Sequence, residues 1–261
     1  MKLAANLSLL YPGLPLRERM AAAARDGFAG VEILFPYDVA PDELSSLLAR
    51  HSLALALINT PQGSNGEKGL ACLPGREAEF MKGLESALAV CRATGCLRIH
   101  VMAGIPDAGD TGQACRGTLI DNLRRAAPLA AEAGLTLTLE ALNRGDMPGY
   151  FYHLPEQVAD IIQAVGHEAV RLQFDLYHSQ REGLDPPTEL RRVLPLVAHV
   201  QLAHPEGRRE PDLSDPAVRQ ALQILARSGY HGWVGCEYMP QGETSAGLGW
   251  RAAYHALVAA A

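Results

Sequence analysis

Short apolar runs alternate with amphipathic segments along the whole chain of 261 residues. The run LTLTLEALN at residues 135–143 shows the pattern, because leucine and threonine alternate up to a single glutamate, Glu140. Such alternation over a short length is typical of a β-strand. Eight runs of this kind are predicted as strands, at residues 2–8, 29–34, 53–59, 97–103, 135–141, 170–175, 197–203 and 232–238.

Helical periodicity fills the intervals between the predicted strands. In the segment REAEFMKGLESALAVCRATG, Phe80, Leu84 and Leu88 recur at four-residue steps, which places them on one face of a helix. Gly95 is expected to end this helix, because glycine readily adopts the left-handed conformation found at helix C-termini. Pro128 interrupts the segment DNLRRAAPLAAEAG, so a kink is expected in that helix.

Strands that alternate with helices predict a parallel sheet with helical crossovers. Dividing 261 residues among eight units leaves about 33 residues for each, which is enough for a strand, a helix and two loops. The sequence therefore predicts an α/β protein, a (β/α)8 TIM barrel formed by residues 1–261 as a single domain. The alternative is an open doubly wound sheet, but the stretch SLLYPGLPL after the first strand lacks the GxGxxG turn of nucleotide-binding sheets.

Composition and charge narrow the classes of partner. The formal net charge of −6 and the lack of a basic block disfavour nucleic acid as a partner. Apolar runs are shorter than the roughly 18 residues that a membrane-spanning helix needs, so no membrane partner is expected.

Polar residues and a proline interrupt the N-terminal stretch MKLAANLSLLYPG, which predicts a strand rather than a signal peptide. The five scattered cysteines are interpreted as reduced thiols, and a cytoplasmic location is expected.

Polar side chains stand near the C-terminal ends of the predicted strands. A TIM barrel carries its active site at that end, so these side chains are the candidates for a functional site. The last polar residues of strands two to eight are Glu32, Asn59, His100, Glu140, Asp175, Gln201 and Glu237. A single carboxylate at a strand end is commonly a solvent-exposed group. Here the last four of these residues come from four consecutive strands, which favours a shared site.

Three carboxylates at one barrel mouth repel one another, and at least one would bind a proton unless a cation lay between them. Oxygen ligands from three carboxylates and one amide suit a hard divalent ion, Mg²⁺ or Mn²⁺, better than zinc, which prefers histidine and cysteine. Four protein ligands in an octahedral site leave two positions for the oxygens of a hydroxy-carbonyl substrate. We therefore predict a metal site formed by Glu140, Asp175, Gln201 and Glu237.

Seven stretches of the chain resemble the hydroxypyruvate isomerase family, a branch of the xylose isomerase-like barrels. They are ANLSLLY, GFAGVEILFPYD, NTPQGSNGEKGLACLPGREAEF, LTLEALN, FDLYHSQR, HVQLAH and GWVGCEYMPQGETSAGLGW, and they extend from residue 5 to residue 250. The resemblance implies a divalent metal held by Glu140, Asp175, Gln201 and Glu237, with Glu140 and Glu237 as proton-transfer groups. It also implies interconversion of hydroxypyruvate and tartronate semialdehyde, or isomerisation of a related short 2-oxo sugar acid.

The chemistry of such an isomerisation agrees with the residues. Moving a carbonyl from C2 to C3 requires a proton to leave one carbon and return to its neighbour, and a carboxylate on either side can transfer it. We hypothesise that Glu140 and Glu237 each use one oxygen for the metal and turn the other toward carbon, whereas Asp175 and Gln201 only ligate. A small-molecule hydroxy or oxo acid is the expected partner.

Three further side chains are candidates for substrate binding. His178 follows Asp175 by three residues and is placed to bond a substrate oxygen or to orient a carboxylate, and the alternative is a loop histidine bonded to backbone. Arg208, in the segment EGRREP, matches a loop arginine of the resembled family, and a planar guanidinium suits a substrate carboxylate. Lys68, in the segment GEKGL, is a second cationic candidate.

Glu32, His100 and His199 are expected to serve the structure instead. Glu32 is predicted to lie behind the site or to pair with an arginine. The two histidines lie within apolar strands, so we expect core residues whose polar atoms are satisfied by their neighbours.

One loop departs from the pattern of the resembled family. After VQLA the family usually has an acid, where this chain has His204. The family tends toward a Gly-Thr-Gly-Glu run after EP, and this chain has DLSD at residues 212–215. Losing two glycines removes positions that readily take positive φ, so we expect this loop to follow another path.

Other functions are compatible with the same barrel. A ketose 3-epimerase would use the same metal and glutamates, although such epimerases more often carry histidine where Gln201 stands. A repair endonuclease would need more histidines and a basic face, and the altered loop makes a catalytically silent metabolite-binding barrel conceivable. A homo-oligomer is left open, because exposed barrel helices often pair.

Overall fold

Eight parallel strands close into a barrel in the computed structural model, which describes residues 1–110 and 112–261. The strands are β1 Lys2–Asn6, β2 Gly30–Glu32, β3 Ala54–Asn59, β4 Arg98–His100, β5 Thr136–Glu140, β6 Val170–Asp175, β7 Val197–Leu202 and β8 Trp233–Cys236. They follow one another around the barrel in chain order, and β1 pairs with β8 to close it. The (β/α)8 prediction is therefore confirmed.

Several strands are shorter than the apolar runs that predict them. The run at residues 29–34 is a strand only over Gly30–Glu32, and the run at residues 97–103 only over Arg98–His100. Beyond these bounds the chain leaves the ladder and continues into the loops at the barrel mouth. An apolar run marks a buried segment, and only part of that segment carries the hydrogen bonds of the sheet.

Helices occupy the intervals between the strands and pack their apolar faces on the barrel. In the described part of the chain they are α1 Leu16–Arg25, α2 Pro41–Arg50, α3 Glu77–Thr94, α4 Gly112–Glu132, α5 Pro155–Val165, α6 Leu176–Arg181, α7 Pro186–Val193, α8 Pro216–Arg227 and α9 Trp250–Ala259. In α2, Leu44, Leu47 and Leu48 are buried, whereas Asp42 and Glu43 in the first turn are exposed. Burying each of these leucines contributes about 2 kcal/mol to stability.

The ends of the helices follow from local chemistry. The carboxylate of Asp175 accepts a 2.8 Å bond from Tyr177 N and so begins α6 directly at the end of β6. Gly95 ends α3 with φ of 71°, as predicted. Pro128 lies inside α4, which continues past it to Glu132, and the kink expected there stays a prediction.

The five cysteines are all buried and form no disulfide. This agrees with their interpretation as reduced thiols that pack as small apolar side chains. Among the described residues, no helix is both long and apolar enough to cross a bilayer.

Polar side chains occupy part of the barrel interior. We call five of them the floor network, because they are nearly inaccessible to solvent and hydrogen-bond to one another: Asn6, Glu32, Gln173, His199 and Gln201. The carboxylate of Glu32 lies against the backbone of β8 at Gly235. A Cβ atom at that position would stand 2.1 Å from Glu32 Oε1, so only glycine leaves room for this side chain.

We expect Gly235→Ala to destabilise the protein by about 1–3 kcal/mol, because the added methyl group would overpack a filled interior. The measurement is urea unfolding followed by circular dichroism. Gly117→Ala is the matched control, because no atom lies within 4 Å of the added methyl there, and this exposed helical site is expected to gain up to about 1 kcal/mol. Equal stability of the Gly235→Ala variant and the unaltered protein would contradict the close approach of Glu32.

Candidate active site

Three buried carboxylates meet at the C-terminal mouth of the barrel. Glu140 is the last residue of β5, Asp175 is the last residue of β6, and Glu237 directly follows β8. Each of the three residues is at most 6% exposed. Glu140 and Glu237 border a cavity of about 160 Å³. The fold therefore delivers the predicted acids to one rim, as expected of a TIM barrel.

The hydrogen bonds of two carboxylates leave one oxygen of each free. Glu140 Oε2 accepts a 2.9 Å bond from Gln173 Nε2, and Asp175 Oδ1 accepts the bond from Tyr177 N that begins α6. Within the described structure, Glu140 Oε1 and Asp175 Oδ2 are buried without any hydrogen-bond partner. A buried carboxylate oxygen without a partner is costly, so these two atoms mark a place for a ligand.

Arg208 joins Glu237 to the same cluster. Its Nη2 donates a 2.7 Å bond to Glu237 Oε1 and lies 3.9 Å from Asp175 Oδ2. The guanidinium also lies over the ring of Tyr177, 4.8 Å from the ring centre. Gly207 and Arg208 both have positive φ, 70° and 50°, which turns the arginine side chain back over the barrel mouth. Arg208 therefore lies at the site, and its contact with a substrate carboxylate stays a prediction.

Burial and mutual repulsion set the proton affinity of the carboxylates. Burial raises the pKa of Glu140 well above its ordinary value, and the charges of Glu237 and Asp175 raise it further. Burial also raises the pKa of Glu237 to about 8 and the pKa of Asp175 to about 6, in both cases against the lowering effect of Arg208. One arginine does not keep all three groups ionised near neutral pH.

The available donor atoms fit a hard divalent cation. Gln201 is fully buried, and its Oε1 accepts a 2.7 Å bond from Gln173 Nε2, the atom that also donates to Glu140 Oε2. The amide oxygen of Gln201 and Oε2 of Glu140 therefore share one donor nitrogen. Glu140 and Asp175 place carboxylate oxygens within 4.8 Å of each other, whereas Glu237 is linked to Asp175 through Arg208, and Gln201 to Glu140 through Gln173. All four predicted ligands offer oxygen, and their shared hold on one ion stays a prediction.

His178 faces the cluster with an N–H group. Asn143 donates to His178 Nδ1 from its backbone N–H at 3.0 Å and approaches the same nitrogen with its side-chain Nδ2 at 2.7 Å. Burial, together with Arg208, lowers the pKa of His178 well below its ordinary value. A neutral ring that accepts at Nδ1 carries its proton on Nε2, which lies 3.8 Å from Glu140 Oε1 and 3.7 Å from Asp175 Oδ2.

This tautomer decides whether His178 can ligate a metal ion or can only donate a hydrogen bond. Glu140, Asp175 and His178 each place a donor atom within 4.8 Å of the others, so geometry alone allows all three to hold an ion. A ring nitrogen that carries a proton has no lone pair for a metal. The bond of His178 Nδ1 to the backbone N–H of Asn143 matches the predicted alternative of a histidine bonded to backbone, while Nε2–H faces the two carboxylates. Its bond to a substrate oxygen stays a prediction.

His100 differs from its prediction as a satisfied core histidine. The ring lines the cavity, with Nδ1 3.3 Å from Glu140 Oε2, and Nε2 is buried without a partner among the described residues. Burial lowers the pKa of His100 to about 3, so the ring is neutral. The prediction was wrong because apolar neighbours in sequence do not reveal that this side chain points toward Glu140.

Lys68 is among the residues that line the cavity, and its role as a second cation for the substrate stays a prediction. Its loop is fixed by Gly69, which forms a bridge with Ala103 and would meet Met102 O at 2.3 Å if it carried a Cβ atom. Lys68 itself is exposed and has φ of 57°. The lysine and Arg208 thus present two positive charges to one small space.

Glu32 and His199 belong to the floor network. His199 Nδ1, like His100 Nε2, is buried without a partner among the described residues, so the prediction of satisfied polar atoms is wrong for both histidines. Glu32 Oε1 lies 2.5 Å from His199 Nε2, so the predicted alternative of an arginine partner is wrong. Gln173 was missed by the sequence reasoning. Its position two residues before Asp175 was the available signal, because side chains at i and i+2 of a strand point to the same face.

The altered loop lies beside the cavity. His204, where the resembled family has an acid, borders a separate open groove of about 550 Å³ with Arg209 and Glu210. In the DLSD segment, Asp212 Oδ1 accepts bonds from the backbone and the hydroxyl of Ser214, at 2.8 and 2.7 Å. The loop therefore closes on itself in a tight turn and leaves Arg208 over the barrel mouth.

Comparison with known proteins assigns the family. A family model described as the xylose isomerase-like TIM barrel matches residues 20–254. The chain belongs to the xylose isomerase-like TIM barrel family. The resemblance read from the sequence motifs is thereby confirmed.

Full-length relatives include two isomerases. A 2-oxo-tetronate isomerase from Cupriavidus necator is 42% identical over 97% of this chain and 98% of that protein. A hydroxypyruvate isomerase from Escherichia coli is 36% identical over 97% of this chain and 99% of that protein. The crystal structure of a Brucella melitensis protein described as an AP endonuclease of family 2 covers 97% of this chain and 98% of its own, with a TM-score of 0.93 and 39% identity.

We expect the metal-free protein to lose stability as the pH rises from about 6.5 to about 8. A folded-state pKa of about 8 for Glu237 means that, in this window, the folded state binds more protons than the unfolded state. His100 and His178 are neutral in the folded state, and unfolded histidine is mostly neutral above about pH 6.5, so they add little slope there. Thermal melting in EDTA at a series of pH values measures the effect.

Addition of Mn²⁺ should raise the melting temperature more at pH 8 than at pH 6.5, since a cation removes the repulsion among the ionised carboxylates. Asp175→Asn should reduce this increase, whereas Glu85→Gln, on the exposed face of α3, should leave it unchanged. A Mn²⁺ effect that is equal at both pH values would contradict the assigned role of the carboxylates.

Proposed function

We propose that this protein is a divalent-metal-dependent isomerase of a small 2-oxo or hydroxy acid, with hydroxypyruvate to tartronate semialdehyde as the first reaction to test. The full-length relatives named as hydroxypyruvate and 2-oxo-tetronate isomerases support an isomerase acting on a small acid. The observation that carries the proposal is the set of three buried carboxylates with two partnerless oxygens beside a cationic side chain.

Glu140 Oε1, Asp175 Oδ2, Gln201 Oε1 and a carboxylate oxygen of Glu237 would hold the metal, Mg²⁺ or Mn²⁺. When bound, the ion would supply Lewis-acid polarisation of the substrate carbonyl. This donor set favours Mg²⁺ or Mn²⁺ over zinc because every proposed ligand atom is oxygen.

Glu140 and Glu237 are the proposed proton-transfer groups. In hydroxypyruvate, one carboxylate removes a proton from C3 and the other returns a proton to C2, while the hydroxyl proton at C3 is lost and the oxygen at C2 gains one. Burial raises the pKa of both carboxylates in the metal-free protein, and a bound cation would keep them ionised and so able to accept a proton. His178 Nε2–H is placed to donate to the oxygen on which negative charge develops.

The hydrogen bonds distinguish the two glutamates. Glu140 Oε2 is held by Gln173 inside the protein, which leaves Oε1 as its free oxygen. Glu237 Oε1 is held by Arg208, whose guanidinium would turn to the carboxylate of an incoming substrate. Binding of the substrate would thus release Glu237 Oε1 for proton transfer, which favours Glu237 as the base that removes the first proton.

The cavity suits a short acid. The lining of the cavity of about 160 Å³ includes the cations of Arg208 and Lys68 and the apolar side chains of Phe35, Met102 and Leu142. Two cations would neutralise the substrate carboxylate, and the apolar wall would exclude water from the reacting carbons. Acids of three or four carbons fit a cavity of this size and lining.

We expect Glu237→Gln to lower the turnover of hydroxypyruvate by about a hundredfold or more, because an amide cannot accept a proton from carbon. The assay is performed with added Mg²⁺ or Mn²⁺ in deuterated water, and NMR records deuterium uptake at C2 and C3. Circular dichroism confirms that the variant is folded. Turnover close to that of the unaltered protein would remove Glu237 from the proposed mechanism.

We expect Arg208→Met to raise the KM for the acid substrate by about 10- to 100-fold, the size of a lost charge-assisted hydrogen bond. Arg209→Met is the matched control, because Arg209 is exposed and borders the separate groove. Steady-state kinetics on both variants provides the comparison. An unchanged KM in Arg208→Met would assign the substrate carboxylate to another residue.

Product analysis separates the rival functions. A 2-oxo-tetronate isomerase would convert the four-carbon acid faster than hydroxypyruvate, and a ketose 3-epimerase would invert one carbon without moving the carbonyl. A silent metabolite-binding barrel would bind the acid without deuterium uptake. Salt-dependent binding to abasic DNA would support an endonuclease, which the net charge of −6 and the buried acids disfavour.

A further inference from the structure

Glu32 lies at the centre of the floor network. Its Oε2 accepts bonds from Asn6 Nδ2 at 3.0 Å and from Gln201 Nε2 at 2.9 Å, and its Oε1 lies 2.5 Å from His199 Nε2. Glu32, His199 and Gln201 are 0% exposed. Burying a carboxylate inside a barrel is energetically unfavourable, and the hydrogen bonds of Glu32 to its neighbours offset part of this free energy.

The bond from Gln201 to Glu32 fixes the orientation of the Gln201 amide. Two donors converge on Glu32 Oε2, so this oxygen acts only as an acceptor, and only the NH₂ group of an amide can face it. The carbonyl oxygen of Gln201 must then point the other way. That direction leads to Gln173 Nε2 and, past it, to Glu140.

Gln173 holds the same amide from the opposite side. Its Nε2 donates to Gln201 Oε1 at 2.7 Å and to Glu140 Oε2 at 2.9 Å, while its Oε1 accepts a 3.0 Å bond from Thr138 Oγ1. One nitrogen therefore ties together two of the proposed metal ligands. A second lone pair on each acceptor oxygen is still available for another partner.

The backbone accommodates both Glu32 and Gln173. The strand register shifts between Val31 and Glu32 in β2 and between Leu172 and Gln173 in β6. Such irregularities change the direction in which a side chain points. Together with the space left at Gly235, they indicate that the fold is built around these two buried polar groups.

We propose that Glu32 is a positioning residue that orients the amide of Gln201 so that its oxygen, and not its nitrogen, faces the metal-binding carboxylates. The inference rests on the proposed function, because it concerns the same cation. Without an acceptor at Glu32, the Gln201 amide could rotate and present NH₂ to the cation, and an NH₂ group cannot ligate it. Groups that orient metal ligands commonly change metal affinity by about 10- to 100-fold when they are removed.

The experiment measures the Kd of the purified full chain for Mn²⁺ by isothermal titration calorimetry, independently of turnover. Glu32→Met keeps a side chain of similar length and removes both acceptor oxygens, and we expect a Kd at least about tenfold weaker. Asn122→Leu is the control for lost stability. Asn122 is buried in α4 and donates to Ala71 O at 2.9 Å, away from the cluster, so this variant should keep the Kd of the unaltered protein.

Glu32→Gln provides rescue. A glutamine there can accept from Asn6 and Gln201 with its oxygen, and its nitrogen can donate to His199 Nε2 once the ring proton moves to Nδ1, which is partnerless among the described residues. We therefore expect the Kd to stay within about threefold of the unaltered value. A loss of about tenfold or more in Glu32→Gln would overturn the proposal. The Kd of Glu32→Gln for Mn²⁺ tests the positioning role of Glu32 even if Glu32→Met does not fold.

A double-mutant cycle tests whether Glu32 acts through Gln201. In the Gln201→Met background, Glu32→Met should change the Kd by less than about twofold, because the amide is already gone. Equal losses in both backgrounds would overturn the proposal and assign Glu32 a general structural role.

The outcomes also separate this inference from the proposed function. If the unaltered protein binds no Mn²⁺, the metal site fails and the role of Glu32 fails with it. If Mn²⁺ binds and the cycle behaves as expected while hydroxypyruvate is not isomerised, the role of Glu32 stands and only the proposed reaction is rejected.

Discussion

The mutual repulsion of three buried carboxylates is the constraint on which the site depends. Glu140, Asp175 and Glu237 lie together in a space that solvent barely reaches, and burial raises the pKa of each. A protein can tolerate such a cluster by protonating it, by pairing it with cations, or by both. Arg208 contributes one positive charge, and the two partnerless oxygens are places where a further cation would be stabilised.

The surrounding hydrogen bonds make this cluster specific. The amide of Gln173 holds one oxygen of Glu140, and the first turn of α6 holds one oxygen of Asp175, so each carboxylate keeps a single free oxygen in a fixed direction. Asn143 fixes the tautomer of His178 in the same way. The site is thus preorganised by neutral groups that lie behind it, and the charged groups keep their free atoms for ligands.

Much of this could be predicted from the sequence because strand periodicity and strand ends are local properties. The alternation in LTLTLE predicts a strand that ends on Glu140, and the eightfold repetition of such strands predicts a closed barrel with its acids on one rim. The family resemblance then supplied Arg208, and the segment GEKGL supplied Lys68 as a second cation; both line the cavity. The strand bounds were less accurate, because an apolar run continues into buried loops.

The sequence by itself determined the fold and the placement of Glu140, Asp175, Gln201 and Glu237 at one mouth of the barrel, since a parallel barrel carries all its strand ends there. Only the tertiary structure decided which atoms of these side chains are free. The bonds that matter join residues far apart in the chain, such as Glu32 to Gln201 and His199, and no local pattern encodes them. The same holds for His100, whose contact with Glu140 depends on how neighbouring strands are staggered.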